Sequence, residues 1–154
     1  MYIQYPKYTD RGFAFRSDGI YFALAEKMGD GDHIAIYDTR DWTLLKRWKC
    51  DTNDLDGLVW SPDGRFIAVW DPCVSYRILI YYPDGRFVAE YSAYDGSLGI
   101  KKVEWSPSAQ FLTIGSYDGK CRMLDRYTWT PLIELSHPKS LSATDIVSYF
   151  FSSF

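Results

Sequence analysis

Residues 103–125 read VEWSPSAQFLTIGSYDGKCRMLD: an apolar strand ending in Trp105, a Ser-Pro turn, a second strand, an Asp-Gly turn and a third strand, with almost no spacer between them. An earlier copy occupies Val59–Tyr81 and a weaker one Phe13–Tyr37. Aligned on the aromatic that closes the first strand, Phe15, Trp60 and Trp105 fall 45 residues apart each time. Arg16-Ser17-Asp18-Gly19, Ser61-Pro62-Asp63-Gly64 and Ser106-Pro107-Ser108-Ala109 follow them in register. A steady period of about 40–45 residues is what four-stranded units arranged around an axis require.

The strands themselves say how such units pack. Residues 66–70 (FIAVW) and 111–114 (FLTI) are nearly continuous apolar runs, whereas a sheet wetted on one face alternates apolar and polar. Strands of that kind are covered on both faces, and neighbouring units stacked face to face supply the cover. Asp63-Gly64, Asp84-Gly85 and Asp118-Gly119 offer the positive φ that tight hairpin turns need. The expectation is an all-β chain of about three four-stranded antiparallel propeller blades. Blade one is read over 12–48, blade two over 49–91 and blade three over 92–138, with blade strands near 12–15, 21–26, 33–37 and 44–48 in the first. Residues 1–11 read as an orphan outer strand of a preceding blade with its linker, and 139–154 as a divergent tail, either an altered terminus or a capping strand. Since a ring closes with typically 4–8 blades, three do not close one, and the chain is expected to be an internal piece of a longer propeller. Its open faces are expected to expose Phe22, Leu24, Leu112 and Ile114 and to favour self-association.

Composition narrows function by exclusion. A formal charge of −3 and a pI near 5.3 leave no basic footprint of the kind phosphate backbones select, which argues against nucleic acid. Cys50, Cys73 and Cys121 form no CxxC pair, and His33 and His137 are too few for a usual zinc set, so reduced thiols in a cytosolic protein are expected and no metal. No apolar run approaches the ~20 residues of a membrane span. Residues 28–33 (MGDGDH) carry a GxG, but no helix follows to complete a phosphate cradle, and a long hairpin loop is the plainer reading. Residues 52–57 (TNDLDG) with Asp63 have part of a calcium-loop spacing, yet they run straight into a strand and read as an acidic linker. Ser97, Ser116 and Ser140 lack a nucleophile elbow, and neither histidine has a sequence-evident partner. A catalytic residue is therefore not expected.

The residues Trp60-Ser-Pro-Asp-Gly64 and Gly115-Ser-Tyr-Asp-Gly-Lys120, leading to Leu124-Asp125, resemble the WD-repeat family, whose blades carry these turns ahead of a Trp-Asp pair. The pair itself is Tyr37-Asp38, Tyr81-Tyr82 and Leu124-Asp125, and the Gly-His that opens a family blade survives only as Ser136-His137. Without that histidine, Asp118 is expected to brace backbone groups, and blades one and two, with Asp30 or Asp32 and Arg77 near that place, have no clean equivalent. Structural repeat residues are thus Phe15, Trp60, Trp105, Asp63, Gly64, Asp118, Gly119 and Asp125. Stretches 2–7, 18–26, 41–48, 66–73, 91–120 and 128–138 are similar to the centrosomal and spindle-pole branch of the family, the kind encoded antisense to a p53-family gene. That resemblance implies a non-catalytic scaffold without cofactors in the cytoplasm, at the centrosome, centriolar satellite or spindle pole. It also implies pairing with a coiled-coil anchoring protein, and work in microtubule anchoring, spindle organisation and cilium assembly. Two alternatives stay open: a generic WD-repeat adaptor, for example in a ubiquitin ligase, and a propeller hydrolase. For partner binding, the loops 71–76, 91–98 and 127–130 combine Trp, Tyr and Pro with few long charged side chains, which singles out Tyr94 and Trp129.

Overall fold

The computed structural model describes residues 2–136, and every described regular element is a β-strand. Blade one comprises β1 (Phe13–Phe15), β2 (Tyr21–Met28), β3 (Gly31–Asp38) and β4 (Leu44–Lys49). Blade two comprises β5 (Gly57–Trp60), β6 (Ile67–Trp70), β7 (Ile78–Tyr81) and β8 (Phe87–Tyr91). Blade three comprises β9 (Ile100–Trp105), β10 (Phe111–Ser116), β11 (Lys120–Asp125) and β12 (Pro131–Ser136). Each is an antiparallel meander in sequence order, and the three sheets do not close into a ring. The expected fold class is what is found. The proposed fourth-blade start at Ser136-His137-Pro138 and the tail 139–154 fall, apart from Ser136, outside the described residues.

The first strands lie side by side, β1 against β5 and β5 against β9, so the blades fan out from a shared inner edge. Burial follows the period-two geometry of the strands. Ile67, Val69, Leu79 and Tyr81 of blade two face Ala23, Ala25, Ile34 and Ile36 of blade one. The alternate positions Ala68, Ile78 and Ile80 face Val103, Leu112, Ile114 and Leu124 of blade three. The continuous apolar runs thus have a cause: blade two is buried on both sides. Near the third-to-fourth strand pair of each blade the register shifts once, between Ile36/Tyr37, Ile80/Tyr81 and Met123/Leu124. Such a bulge bends the outer strand and makes the edge a poorer template for further pairing.

Two expectations are corrected. Leu112 and Ile114 are fully buried against blade two, and Leu24 lies beneath Phe22 and Ile3. The reason is phase: the strand face that looks back at the preceding blade carries Ile67 and Val69 in blade two and so Leu112 and Ile114 in blade three. The other face of blade three bears Phe111, Thr113, Met123 and Ile133. Residues 28–33 form no long loop either. Strands β2 and β3 run on to pair Met28 with Gly31, leaving the two-residue turn Gly29-Asp30. At the N-terminus, Tyr5–Lys7 lie antiparallel to β2 beyond the end of β1, through Lys7 N–H to Ala25 O (2.9 Å) and Lys27 N–H to Tyr5 O (3.0 Å).

Candidate interaction rim

A meander sends its connections alternately to the two ends of each blade. Segments 16–20, 39–43, 61–66, 82–86, 106–110 and 126–130 form one rim, here the lower. Segments 29–30, 50–56, 71–77, 92–99 and 117–119 form the upper. The two candidate partner-binding residues therefore separate: Trp129 belongs to the lower rim and Tyr94 to the upper.

On the lower rim, the repeat residues build the turns. Asp63 accepts from the Ser61 hydroxyl (2.6 Å) and the Arg65 N–H (3.2 Å), and its other oxygen takes Arg126 of blade three (2.9 Å), so the turn carboxylate also ties two blades together. Burial raises the Asp63 carboxyl, but these donors outweigh it and hold it below its ordinary value. Gly64 sits at φ 72°, the left-handed region a side chain rarely adopts, as Gly119 of the upper rim does at φ 75°. Asp125 accepts the N–H groups of Tyr127 (3.0 Å) and Thr128 (2.9 Å), shaping the turn that presents Trp129. Trp129 then packs edge-on to Phe66 (5.2 Å) and Trp105 (6.0 Å), within the seam between blades two and three. Trp60 and Trp105 are buried, whereas Phe15, their counterpart, is 55% exposed, because among the described residues no other blade packs on that side of blade one. Trp60 donates its indole N–H to Ala14 O (3.2 Å), pinning blade two to β1.

The upper rim holds a charged network that the sequence reading missed. Arg122, with a side chain only 6% exposed, donates to Asp118 (2.6 Å), Glu134 (2.9 Å) and the Ser116 hydroxyl (3.0 Å). Its guanidinium lies 5.5 Å from the Tyr76 ring and 5.7 Å from that of Tyr94. Asp118 accepts from the Lys120 N–H (3.1 Å) and the Ser116 hydroxyl within its own turn, and from Arg122 across the hairpin. The signal was available. Arg77 stands 45 residues before Arg122 and bonds Glu90 (2.8 Å) and Asp51 (3.1 Å) in the same way. At the same place in blade one stands Asp32, which receives Lys7 (2.7 Å), Lys27 (3.0 Å) and the Leu55 N–H (2.7 Å). The adjacent buried Glu26 takes Arg47 (2.6 Å) and the Tyr37 hydroxyl (2.7 Å). The acidic linker 52–57 is likewise accounted for: Asn53 and Asp54 donate their N–H groups to buried Asp71, and Asp54 and Asp56 face Lys7 and Arg11.

Tyr94 leans edge-on against Tyr76 (4.9 Å) and donates its hydroxyl to Leu98 O (2.6 Å). With Asp95, Ser97, Leu98, Tyr117 and Asp118 it lines a shallow open recess. Leu98 and Tyr117 are about half exposed there, and the Lys101 ammonium rests 4.5 Å from the Tyr117 ring. Nothing in this arrangement resembles an activated nucleophile. Ser116 is fully engaged with Asp118, Lys120 and Arg122, and burial pushes the Cys50 thiol up to about 12 and that of Cys121 to about 11. Among the described residues no three His, Cys, Asp or Glu converge as a metal site would require.

Residues 85–125 match the family described as WD domain, G-beta repeat. That span, the last strand of blade two with most of blade three, is a WD repeat. Mouse WD repeat-containing protein WRAP73 is 47% identical over 148 residues, covering 96% of this chain and 32% of that protein. An uncharacterized WD repeat-containing protein of Schizosaccharomyces pombe is 34% identical over 130 residues, covering 82% of the chain and 27% of that protein. The chain therefore spans a third or less of the length of these relatives. WD repeats mediate protein interactions, and the upper rim's exposed aromatic and apolar side chains on rigid blades fit that use.

Proposed function

We propose that this chain is part of a non-catalytic protein-interaction scaffold of the centrosome and spindle pole, supporting microtubule anchoring, spindle organisation and cilium assembly alongside a coiled-coil anchoring protein. The observation that carries the reading is the likeness to mouse WRAP73 along 96% of the chain, together with the resemblance to centrosomal WD-repeat proteins that is most specific over 91–120. That stretch contains the Tyr94–Tyr117 recess of the upper rim. The recess is the partner-facing surface in this reading, because its aromatic side chains sit on a braced turn and lose little freedom on binding. Trp129 is the second candidate, with the qualification of chemistry rather than place: its ring already fills the seam between two blades, so replacing it alters packing as well as surface.

A fluorescently tagged full chain imaged in dividing cells tests this. The wild type concentrates at spindle poles, and a Tyr94→Ala, Tyr117→Ala variant of matched abundance becomes diffuse. Diffuse wild type overturns the centrosomal reading, while polar foci that survive the variant move the surface elsewhere.

A further inference from the structure

The seams on the two sides of blade two are built alike except at one place on the lower rim. Between blades two and three, Phe66 at the start of β6 stacks on Trp105 at the end of β9 (6.1 Å), and Trp129 from the blade-three turn lies edge-on to both (5.2 and 6.0 Å). Between blades one and two, Tyr21 and Trp60 stand 45 residues before that pair, but the third aromatic is missing. The turns 38–43 and 125–130 place Trp42 and Trp129 just before their closing threonine, both in the left-handed conformation (φ 59° and 56°). The blade-two turn, 82–86, is one residue shorter, and Gly85 takes that place at φ 91°. A Cβ on Gly85 would press on the Trp48 ring at 3.0 Å, so this turn does not supply the missing side chain.

What remains is an open recess of about 400 Å³, walled by Tyr21, Ile36, Leu45, Trp60 and Pro83. Both walls belong to described blades, whatever precedes blade one or follows blade three. The charged side chains at its mouth do not cancel. Arg16 lies 4.1 Å over the Tyr21 ring and pairs with Asp18, and Asp84 pairs with Arg86 (2.8 Å), each within its own turn. Lys46 lies in the field of Asp84 but forms no ion pair among the described residues, which leaves the mouth with a net positive charge.

We propose that this recess seats the indole of a tryptophan from a partner protein, in a segment that also sets a carboxylate against Lys46. The neighbouring seam shows the fit, since an indole borne on a turn already fills the same place between Phe66 and Trp105. Tryptophan buries a large apolar area at the cost of only two side-chain torsions. Lys46 supplies selection for a flanking Asp or Glu more than affinity. The surface lies on the rim opposite the Tyr94 recess and does not rest on the centrosomal reading.

Selection of a random peptide library displayed on phage against the immobilised full chain tests this. The expected binders share a tryptophan beside Asp or Glu. Synthetic copies, titrated against the free chain by fluorescence polarisation, should lose about thirtyfold or more in affinity when that tryptophan becomes alanine, the loss expected of a central anchor. Leu45→Ser, at a wall residue that is half exposed, should cost about fivefold or more, and Lys46→Glu about twofold to fivefold with the flanking preference turned from acidic to basic. No binders, binders without tryptophan, or binders indifferent to Leu45→Ser overturn the recess as the site, and indifference to Lys46→Glu overturns the acidic partner. Should either variant shift the urea midpoint, a photo-crosslinking phenylalanine analogue at 45 in the otherwise wild-type chain replaces it. Crosslinks to the selected peptide support the seat, and their absence refutes it.

Discussion

Replacing Arg122 by methionine keeps the hydrocarbon bulk between Tyr76 and Tyr94 and removes the charge that organises the upper rim of blade three. The guanidinium gives up two well-formed hydrogen bonds to sheltered groups, Asp118 (2.6 Å) and Ser116 (3.0 Å), and one to Glu134, whose 41% exposure leaves it to water and out of the sum. A hydrogen bond to a charged partner contributes about 1.5–3 kcal/mol and a neutral one about 1, and Asp118, a quarter exposed, recovers part of its loss by hydration. The expected destabilisation is about 2–3 kcal/mol, or roughly 4–12 °C in Tm for a chain of this size. The pH dependence has a definite sign. Burial alone raises the Asp118 carboxyl, but the hydrogen bonds from Arg122 and Ser116 outweigh it and hold it below the ordinary 3.8. A carboxyl lowered by folding contributes stability above its unfolded value and loses it as pH falls through its folded one. Urea denaturation at pH 7 should therefore show the full gap between wild type and Arg122→Met, and the same assay a progressively smaller one as pH falls below the ordinary carboxylate range. A gap under about 0.5 kcal/mol at pH 7, within the range of an ordinary surface substitution, or one unchanged at low pH, refutes the network's role.

Gly99 is held where a Cβ would lie 2.1 Å from Ser75 O, so Gly99→Ala must part the 92–99 and 71–77 segments; thermal melting should report a loss of about 1–3 kcal/mol or more. Asp63→Ala removes both a turn brace and the Arg126 link between blades, an expected loss of about 1–2 kcal/mol by urea titration, whereas Asp84→Ala, whose carboxylate bonds only Arg86 in its own turn, should cost less. Ellman's reagent at pH 8 should label Cys73 in the folded chain, with Cys50 and Cys121 reacting only in denaturant, because burial keeps those two protonated. Trp60→Phe loses the bond to Ala14 O and part of a buried ring, and an expected drop of about 1–3 kcal/mol would be read from the same melts.

The blades were legible because a 45-residue period, apolar strand runs and Asp-Gly turns all point to one architecture, and Phe15, Trp60 and Trp105 do end the first strands as their alignment implies. What the sequence hid was phase and pairing. An uninterrupted apolar strand does not say which alternate residues face which neighbour, so Leu112 and Ile114 were expected on an open face and lie in a seam. The Gly29-Asp30 turn was masked because Lys27 and Asp32, just beyond the expected strand ends, look like loop residues until their cross-strand pairing and the ion pairs of Asp32 with Lys7 and Lys27 explain them. Tyr94 and Trp129 share a composition of surroundings but not a rim, since which end of a blade a connection occupies depends on strand direction and not on its residues. Within β11, Arg122 is a single charge in an apolar strand, and its repeat at Arg77 is the sequence signal that marks it.

Proximity labelling from the full chain in dividing cells, wild type beside Tyr94→Ala, Tyr117→Ala, puts the scaffold reading to its most direct trial. The account predicts enrichment of spindle-pole and satellite proteins, including coiled-coil anchoring components, that the variant loses. A wild-type neighbourhood without spindle-pole proteins would contradict it.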